Sequence, residues 1–551
     1  MRATPTRPAG HEEVLVDGRV SGDGPWRIAL GALAVVIVLV LAAVNRHLTF
    51  LADDWSFLAG RVGISADTYL QPHNEHLSAV PVLIYQVLRG IFGTTNYLPY
   101  QLVALAAHLA VCGLVWLLCA RRVGPWVALA PAAVVGLLGP ATEDLLWAFQ
   151  MGYFLAMASG LAAWALLERG GTRRDLGACV LLVLSLASAS AGVGLVAGSV
   201  VLLLLHPTRW RRLWVVIVPT ALYLLWYLGY GAPAPSADWS RVPGYMAGSL
   251  SAALASLAGL AQPPPDTTTP SLVDTTYGRP LAVVCVLGLG WLHARNGRLP
   301  ALACAALGAA LTLWFFIALE VLGVFRSPES TRYQYFGAVL LLVAAAALAP
   351  GWRPTPPARV LGVLALAWVL VSNTLMLHDG SVEAEAQAVV TRADLAALDI
   401  ARPVVEPAHI SVDFFVLPMT AGSYFSLADA HGTVAYSEPQ LAAAPEAARL
   451  RADLVLVDAE RLAARASGRV AVTGCVPVGG VLTTGPGTYV VRSPGAAPTL
   501  RGARFADVAR PAISAPAGTS LLTLPRDASA RPWRLALAGP AGATICRRAG
   551  A

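Results

Sequence analysis

The sequence contains no lysine and little charge of either sign. All 39 of its basic residues are arginine, 13% of its 551 residues are charged, and 56% are hydrophobic. A soluble domain could not bury so much apolar surface, so the composition predicts a polytopic membrane protein. The arginines lie in short segments between apolar runs, which is typical of loops that orient a membrane protein. The net charge of +7 therefore does not indicate nucleic-acid binding.

Cysteine is also scarce, with seven residues in all. Five lie in apolar runs, and only Cys475 and Cys546 lie in the C-terminal region. If that region is exported to an oxidising space, these two can form a disulfide, and two separate buried thiols are the alternative. No cysteine lies near the histidines at positions 73 and 76, which argues against a structural zinc site there.

Apolar runs near the length needed to cross a hydrocarbon core of about 30 Å predict eleven transmembrane helices. They occupy residues 27–45, 99–120, 125–139, 150–167, 176–190, 191–205, 213–230, 280–293, 299–322, 336–349 and 361–377. The runs at 176–190 and 191–205 must turn back on each other within residues 185–194. A cytoplasmic N-terminus places five arginine clusters on the cytoplasmic side: Arg121/Arg122, Arg169/Arg173/Arg174, Arg209/Arg211/Arg212, Arg295/Arg298 and Arg353/Arg359. The expected location is the bacterial plasma membrane, with the N-terminus inside and the C-terminus outside.

Three regions follow from this topology. Residues 1–26 form a cytoplasmic tail without a cleavage site, residues 27–377 form the transmembrane domain with a first outward loop at 46–98, and residues 378–551 form an extracytoplasmic domain. That domain is expected to be mixed α/β up to about residue 466 and mostly β thereafter, with strands at 412–417, 452–457, 488–491 and 533–537 and a helix at 438–451. Apolar stretches at 77–92 and 245–260 predict helices lying on the membrane surface.

The acidic pair Asp53-Asp54 follows directly after the first apolar run. Carboxylates at a membrane boundary must be solvated, paired or bound to a ligand, so the pair marks a candidate functional site. Adjacent carboxylates raise each other's pKa or share a cation, which suits a general base or a metal ligand. An acidic patch at a helix exit is the alternative interpretation.

A histidine-rich segment, His73-Asn74-Glu75-His76, lies further along the same loop. The spacing of His73 and His76 permits shared metal ligation, and Glu75 between them can contact metal or substrate. Alternatively, these polar residues cap the helix that follows.

A second acidic pair, Glu143-Asp144, lies in the outward turn between the third and fourth apolar runs. The pair can bind a substrate that accepts a transferred group, or it can complete a metal site. An ordinary solvated turn is the alternative. Gln150 begins the next apolar run, where a polar side chain needs a partner or water, and is a candidate hydrogen-bond partner at this site.

Two outward arginines, Arg326 and Arg332, precede the tenth apolar run, and Tyr333 follows the second of them. The planar guanidinium fork matches phosphate oxygens, and an outward arginine runs against the usual topological bias. We therefore predict that these residues bind a phosphate group. Snorkelling to lipid headgroups is the alternative. Glu320 is a candidate partner of either arginine.

The layout of residues 48–108 resembles that of the GT-C superfamily of polytopic membrane glycosyltransferases. It has an acidic pair, a histidine-bearing turn, an interfacial helix and a second span with a histidine, and Arg332-Tyr333 is similar to an Arg-Tyr feature of several bacterial members. The resemblance implies transfer of a sugar from a polyprenyl-phosphate carrier to an envelope glycan, lipid or protein. It also implies catalysis by Asp54, with Asp53 as its neighbour, and the cofactor expected is a divalent metal, Mg²⁺ or Mn²⁺. Leu77 stands where many relatives have arginine, so one expected cationic contact is missing.

Two other classes remain open. The first is a non-catalytic lipid-linked glycan translocase or envelope-assembly protein, which buried charges in the spans would favour; this sequence has few. The second is an enzyme of the O-antigen ligase or polymerase type. That class also uses outward arginines, but depends less on an acidic pair directly after the first span.

Overall fold

The computed structural model describes residues 24–231, 238–262, 272–274, 276–319, 326–410 and 419–549. Within these residues the chain is mainly helical, and its strands are confined to the C-terminal region. This confirms the predicted combination of a helical membrane class and a β-rich C-terminal part. The predicted strand at 412–417, the predicted partner Glu320 and the cytoplasmic tail at 1–23 lie outside the described residues.

Sixteen of the described helices precede residue 350: α1 (Trp26–Asn45), α2 (Asp53–Leu58), α3 (Ala66–Leu70), α4 (Ala79–Phe92), α5 (Leu98–Val123), α6 (Leu129–Gly136), α7 (Thr142–Leu146), α8 (Met151–Leu167), α9 (Thr172–Ser188), α10 (Ala191–Leu204), α11 (Arg209–Arg212), α12 (Trp214–Tyr230), α13 (Val242–Leu257), α14 (Gly278–Asn296), α15 (Ala301–Leu319) and α16 (Thr331–Leu348). The C-terminal region contains α17 (Pro356–Ala401), α18 (Ala421–His431), α19 (Glu438–Ala443) and α20 (Glu446–Ala459).

Six helical segments of the described chain are long and apolar enough to cross a membrane, and a bent pair of helices could add a seventh. The six are Trp26–Asn45, Leu98–Val123, Ala148–Leu167, Ala301–Leu319, Thr331–Leu348 and Pro356–Ala401. Shorter apolar helices occupy Ala191–Leu204 and Trp214–Tyr230. These helices indicate a multi-pass membrane protein, while the count of eleven spans stays a prediction.

The bent pair replaces the straight span predicted at 125–139. Helix α6 ends at Gly136, and the chain resumes as a helical segment at Gly139–Leu146 after a bend of 42°. Pro140 cannot donate a backbone hydrogen bond to a preceding turn, which favours the break. A Cβ atom on Gly139 would lie 2.0 Å from the carbonyl oxygen of Asn373 in α17, so only glycine permits this close helix approach.

The predicted reversal between the runs at 176–190 and 191–205 is confirmed. Helix α9 ends at Ser188 and α10 begins at Ala191. Helix α10 then runs back beside α8, where the Trp164 Nε1–H donates to Ser199 Oγ at 2.9 Å. This reversal keeps the later helices in the alternation that the topology prediction requires.

Several arginine clusters meet at one end of the helix bundle. Arg121 and Arg122 both pair with Glu168, and the backbone N–H of Gly351 donates to the carbonyl of Arg122 at 2.7 Å. Arg212 is buried against Asp175, with Nη2 and Oδ1 2.7 Å apart. We call this the arginine end and the opposite end, where the C-terminal region lies, the domain end. Which of them faces the cytoplasm stays a prediction.

Helices α4 and α13 confirm the two helices predicted at 77–92 and 245–260. One face of α4 exposes Leu83, Val87 and Ile91 at intervals of four residues, which is the pattern of an amphipathic helix. Their position on a membrane surface stays a prediction.

Helix α17 is 46 residues long, which corresponds to about 69 Å at 1.5 Å per residue. It continues without interruption past residue 377, where the last span was predicted to end. Near its C-terminus, the carbonyl of Ile400 accepts a hydrogen bond from the backbone of Ala528 at 2.9 Å. The helix therefore runs without a break from the membrane part to a contact with the β-rich part.

The predicted strand at 452–457 is wrong, because these residues belong to α20. Strong helix formers precede them without a turn signal, and packing against α17 buries the face that contains Ala452 and Val455. Tertiary burial of one helix face overrides the strand preference of the valines. The helix predicted at 438–451 is confirmed as α19 and the first part of α20.

The strands form two antiparallel sheets. Their bounds are β1 (Arg465–Ala466), β2 (Val472–Pro477), β3 (Val481–Thr484), β4 (Gly487–Ser493), β5 (Thr499–Ala503), β6 (Ala512–Ile513), β7 (Gly518–Leu524), β8 (Trp533–Ala538) and β9 (Thr544–Arg548). The strand order is β1-β7-β4-β9-β2 in one sheet and β3-β8-β5-β6 in the other. Alternating buried residues such as Trp533, Leu535 and Leu537 form the core. The strands predicted at 488–491 and 533–537 are confirmed as parts of β4 and β8.

The disulfide between Cys475 and Cys546 is also confirmed and joins β2 to β9. It closes a segment with a sequence separation of 71, for which the chain-entropy model predicts a stabilisation of about 4 kcal/mol. We expect the double variant Cys475→Ala/Cys546→Ala to lower the denaturant midpoint of the C-terminal region, measured by proteolysis of the full chain in urea. Cys285→Ala, which removes a free thiol in α14, is the control. An unchanged midpoint in the double variant would contradict this prediction.

Candidate functional site

The acidic pair begins helix α2 immediately after a strained residue. Ala52 has φ 39° and ψ −109°, a backbone conformation that residues with a Cβ atom rarely adopt. Such strain persists only where surrounding contacts impose it, and it is concentrated at functional sites. Here the contacts of the next two residues, Asp53 and Asp54, hold the turn in place.

Asp54 is fully buried and surrounded by hydrogen-bond donors. Its Oδ1 accepts from the Tyr85 hydroxyl, and its Oδ2 accepts from the Leu51 N–H at 2.8 Å, the Trp147 Nε1–H at 2.9 Å and the Tyr97 hydroxyl at 3.5 Å. Burial raises the pKa of Asp54 to about 7, although the bonds from Tyr85, Leu51 and Trp147 act to lower it. Through these hydrogen bonds the carboxyl group links four segments: the first loop, α4, the start of α5 and the segment before α8.

Asp53 is the accessible member of the pair, with 27% of its side chain exposed. Its Oδ1 lies 3.3 Å from Nε2 of His73, and its Oδ2 accepts from the Asn74 amide at 3.4 Å. The ring of His73 packs against Phe57 and Phe149. Asp53 is therefore oriented by a fixed imidazole and still has carboxylate surface that a substrate can reach.

The segment from His73 to His76 forms a tight two-residue turn. The backbones of His73 and His76 exchange hydrogen bonds of 3.0 and 2.9 Å, and Asn74 and Glu75 both have positive φ, 46° and 64°. Positive φ at both central residues is the pattern of a type I′ hairpin turn. The alternative role as a helix cap is wrong, because the N-cap of α4 is Ser78.

Two arginines lie beside this turn, each paired with an acid. Arg326 Nη2 lies 2.7 Å from Glu75 Oε2. Arg332, at the start of α16, binds Glu143 through both Nε and Nη2, in a bidentate pair. The side chains of Arg326 and Arg332 are 19% and 32% exposed, so both pairs are open to solvent on one side.

His76 lies among these pairs. Its side chain is half-buried, and desolvation is the main cause that lowers its pKa to about 4; Glu75 opposes the shift, and Arg326, His73 and Arg332 add to it. The imidazole is thus neutral near pH 7 and within electrostatic reach of both arginines. We use the term charged cluster for Asp53, His73, Glu75, His76, Glu143, Arg326 and Arg332. These residues come from three distant parts of the sequence and meet at the domain end.

The other predicted site residues lie around this cluster. Tyr333 interacts electrostatically with Arg332, and its N–H donates to the carbonyl of Ser330. Gln150 is buried, and its N–H donates to the carbonyl of Trp147. Asp144 is also buried, and within the described residues neither of its carboxyl oxygens has a hydrogen-bond partner. The predicted second acidic site is therefore divided: Glu143 joins the cluster and Asp144 does not hydrogen-bond to it.

The side chains of the charged cluster are poorly suited as ligands for a protein-held Mg²⁺ or Mn²⁺. No group of three or more His, Cys, Asp or Glu residues in the described chain is arranged to hold a metal ion. Asp54 is already surrounded by hydrogen-bond donors, and Glu75 and Glu143 are paired with arginine. Among the residues of the charged cluster this leaves one carboxylate, Asp53, and the two histidines. These ions prefer several oxygen ligands, and we derive no step of the chemistry through a metal.

Sequence reasoning missed the donors around Asp54, namely Tyr85, Tyr97 and Trp147. A buried carboxylate requires such donors, and aromatic residues with a polar tip are suited to a membrane boundary. Their spacing in the sequence, 12 and 50 residues apart, gave no indication that they share one partner. Only the packing of α4, α5 and the segment before α8 brings them together.

The long apolar helices indicate a multi-pass membrane protein, and the charged cluster is a polar site at its domain end, beside the C-terminal region that contains the two sheets. No protein-family model, curated protein or solved structure matches the chain.

The two aspartates should respond differently to removal of their charge. Asp54→Asn places an amide against N–H and O–H donors and leaves at least one of them unpaired, which costs about 1–3 kcal/mol. Asp53→Asn changes a partly exposed group and should leave the unfolding midpoint of the detergent-solubilised protein nearly unchanged. Equal destabilisation by the two variants would contradict this assignment.

The effect of Asp54→Asn should also depend on pH. The folded-state pKa of about 7 lies above the ordinary value of 3.8, so the folded state binds this proton more tightly than the unfolded state. The contribution of Asp54 to stability is therefore complete below about pH 4 and decreases as pH rises towards 7. In the variant, residue 54 does not titrate and adds no pH dependence to the free energy of unfolding. The difference in this free energy between wild type and variant should therefore narrow from pH 5 to pH 8. A constant difference would contradict the raised pKa.

Proposed function

We propose that the chain is a membrane glycosyltransferase that moves a sugar from a polyprenyl-phosphate carrier to an envelope glycan, lipid or protein. The observation that supports this function most strongly is the charged cluster. It combines an accessible carboxylate, Asp53, with the cationic side chains of Arg326 and Arg332 at the domain end of a membrane bundle. Transfer from a lipid phosphate needs these two elements, a base and a positive group.

In the proposed reaction Asp53 accepts the proton of the acceptor hydroxyl. The resulting oxygen nucleophile attacks the anomeric carbon while the bond from that carbon to the carrier phosphate breaks, which inverts the configuration. The electron pair of the broken bond remains on the phosphate, and arginine stabilises the added negative charge. His73 orients Asp53 through the contact of 3.3 Å. Sequence alone favours Asp54 as the base, but its burial and its hydrogen bonds favour a positioning role.

The glutamates that pair with the two arginines compete with the phosphate of the donor lipid. A phosphate that approaches Arg332 competes with Glu143 for the same planar fork, and one that approaches Arg326 competes with Glu75. The arginines stay oriented in the absence of donor, which reduces the entropy lost when donor binds. Donor binding then exchanges a carboxylate for a phosphate.

The first functional prediction concerns the base. We expect Asp53→Asn to reduce transfer by about 10²- to 10⁴-fold, the usual contribution of a general base, with normal expression and an unchanged unfolding midpoint. Glycan analysis of a deletion strain complemented with the variant measures this. Asp67→Asn is the matched control, since Asp67 is an exposed carboxylate of the same loop that accepts from Tyr230. Full activity of Asp53→Asn would exclude this base.

The second functional prediction concerns the donor phosphate. Loss of hydrogen bonds to a charged group costs about 1.5–3 kcal/mol, so Arg332→Ala should weaken binding of polyprenyl phosphate roughly tenfold to hundredfold. Arg332→Lys keeps the charge without the fork and should be intermediate. Glu143→Gln removes the competing carboxylate and should preserve or strengthen binding. If Arg332→Ala and Glu143→Gln weaken binding equally, the ion pair has a structural role and Arg332 does not contact donor.

The proposed location is the bacterial plasma membrane, with the N-terminus in the cytoplasm and the domain end outside. The grouping of arginine clusters at the other end supports this orientation. Reporter fusions after Arg122, Arg212 and His293 should report the cytoplasm, and a fusion after Ala551 should report the outside. A cytoplasmic signal from the last fusion would place the cluster away from an externally presented acceptor.

One observation favours a lipid-linked glycan translocase as the second candidate function. Asp144 is a buried carboxyl group without a hydrogen-bond partner in the described residues, at the end of a bent helix pair. Buried ionisable groups in membrane bundles often belong to a transport path. Asp144→Asn should leave a glycosyltransferase active but impair a translocase, as measured by appearance of labelled lipid-linked glycan on the outer face of vesicles.

A further inference from the structure

A second polar site lies at the membrane boundary, outside the charged cluster. It is a cavity of about 390 Å³ formed by the end of α1, the start of α5, α17 and the segment after α18. Its volume falls in the range of small-molecule binding sites, about 300–1,000 Å³. None of the residues named in the proposed donor-phosphate site, Arg326, Tyr333 and Arg332, lines it.

The wall of the cavity has an apolar part and a polar part. The apolar part comes from α1 and α5 and includes Leu41, Leu98, Leu102 and Leu105. Leu98 and Leu102 are 52% and 53% exposed on the surface of the bundle, which opens this part towards the hydrocarbon of a bilayer. A ligand that fits this wall has an apolar portion that can extend into the membrane.

The polar part of the wall carries two cations and no acid. Arg46 follows the last residue of α1, Arg392 comes from α17, and the lining contains no carboxylate. Asn45, Asn96 and Gln101 supply further polar groups. The local charge therefore favours an anionic ligand group.

Two buried polar atoms of residues at this cavity have no hydrogen-bond partner among the described residues: Nε of Arg392, which is a donor, and Oδ1 of Asn45, which is an acceptor that an anion does not satisfy. A buried donor of a guanidinium group is costly to leave unsatisfied, because charged groups carry the largest desolvation penalty. The rest of the Arg392 side chain is held over the ring of Tyr436, 6.0 Å from its centroid. An oxyanion bound beside the guanidinium group would offset part of this desolvation penalty.

We propose that this cavity binds the headgroup phosphate of an anionic phospholipid from the surrounding bilayer, between Arg46 and Arg392. The order of the wall, apolar below and cationic above, matches the order of groups in such a lipid. The end of α1 places Arg46, and α17 places Arg392, beside the start of α5, and arginine and anionic lipid attract each other at headgroup depth. The bound lipid would join α1 and α5 to the base of the C-terminal region.

Tyr97 connects this lipid site to the acidic pair. It lines the cavity, and its hydroxyl contacts Asp54 and accepts a hydrogen bond from the N–H of Ala148 at 2.7 Å. A lipid that packs against Tyr97 would therefore stabilise the surroundings of Asp54 without contacting Asp53. This proposal does not depend on the proposed glycosyltransferase activity.

The test is native mass spectrometry and thermal unfolding of the purified full chain with phosphatidylglycerol, phosphatidylcholine or inorganic phosphate added separately. The wild type should retain phosphatidylglycerol and unfold at a higher temperature with it. Arg46→Ala/Arg392→Ala should weaken this retention about tenfold to hundredfold, as expected for lost contacts to a charged group. The single variant Arg392→Lys should retain more phosphatidylglycerol than the double variant, because it keeps a positive charge at both positions.

Arg298→Ala is the matched control, because Arg298 is an exposed arginine at the arginine end. It should bind phosphatidylglycerol like the wild type. Equal retention of phosphatidylcholine would show that charge does not select the ligand, and equal stabilisation by inorganic phosphate would show a free-anion site. Either result, or full retention by the double arginine variant, would overturn the proposal. Absence of sugar transfer by a wild-type protein that retains phosphatidylglycerol would contradict the proposed function and leave the lipid site intact.

Discussion

The domain end of this protein depends on the burial of one carboxyl group. Asp54 is fully buried, and such a group is tolerated only where donors replace the water it has lost. Tyr85 from α4, Tyr97 beside α5 and Trp147 before α8 supply them. Because these donors come from separate elements, satisfying Asp54 also fixes the relative positions of the first loop and two parts of the bundle.

The burial of Asp54 also positions the neighbouring residue, Asp53. With α2 held by Asp54, Asp53 is fixed in position beside His73. The turn that carries His73 also carries Glu75, which reaches Arg326. A structural carboxyl group and an accessible one are thus adjacent in sequence but differ in environment, and environment decides which of two such groups can meet a substrate.

The charged cluster and the lipid cavity use arginine in different ways. Arg326 and Arg332 are each paired with a glutamate, so a phosphate can bind them only by exchange. Arg46 and Arg392 face a cavity without a carboxylate in its lining, so an anion can bind there without displacing a protein group. The first arrangement fits the proposed substrate, which must enter and leave, and the second fits the proposed lipid, which stays bound. Both follow from the planar fork of arginine, which lysine lacks.

The sequence alone determined the membrane class, the β-rich C-terminal part and the reversal between α9 and α10. It limited the C-terminal cysteines to one possible disulfide, with two separate thiols as the alternative, and the structure shows the disulfide. These features depend on local composition, on the length of apolar runs and on the small number of cysteines, all of which can be read along the chain. It also singled out Asp53, Glu143 and Arg332, which lie in the charged cluster, because charge at a membrane boundary is costly and therefore informative.

Only the tertiary structure decided how these residues are used. Asp53 and Asp54 are equivalent in sequence, and burial by distant aromatic residues distinguishes them. The break at Gly136–Gly139 depends on a close approach to Asn373 in α17, and the helical state of residues 452–457 depends on burial against the same helix. The pairs Arg326–Glu75 and Arg332–Glu143 join residues 251 and 189 positions apart. Such contacts are fixed by packing between elements, and local sequence preference does not contain that information.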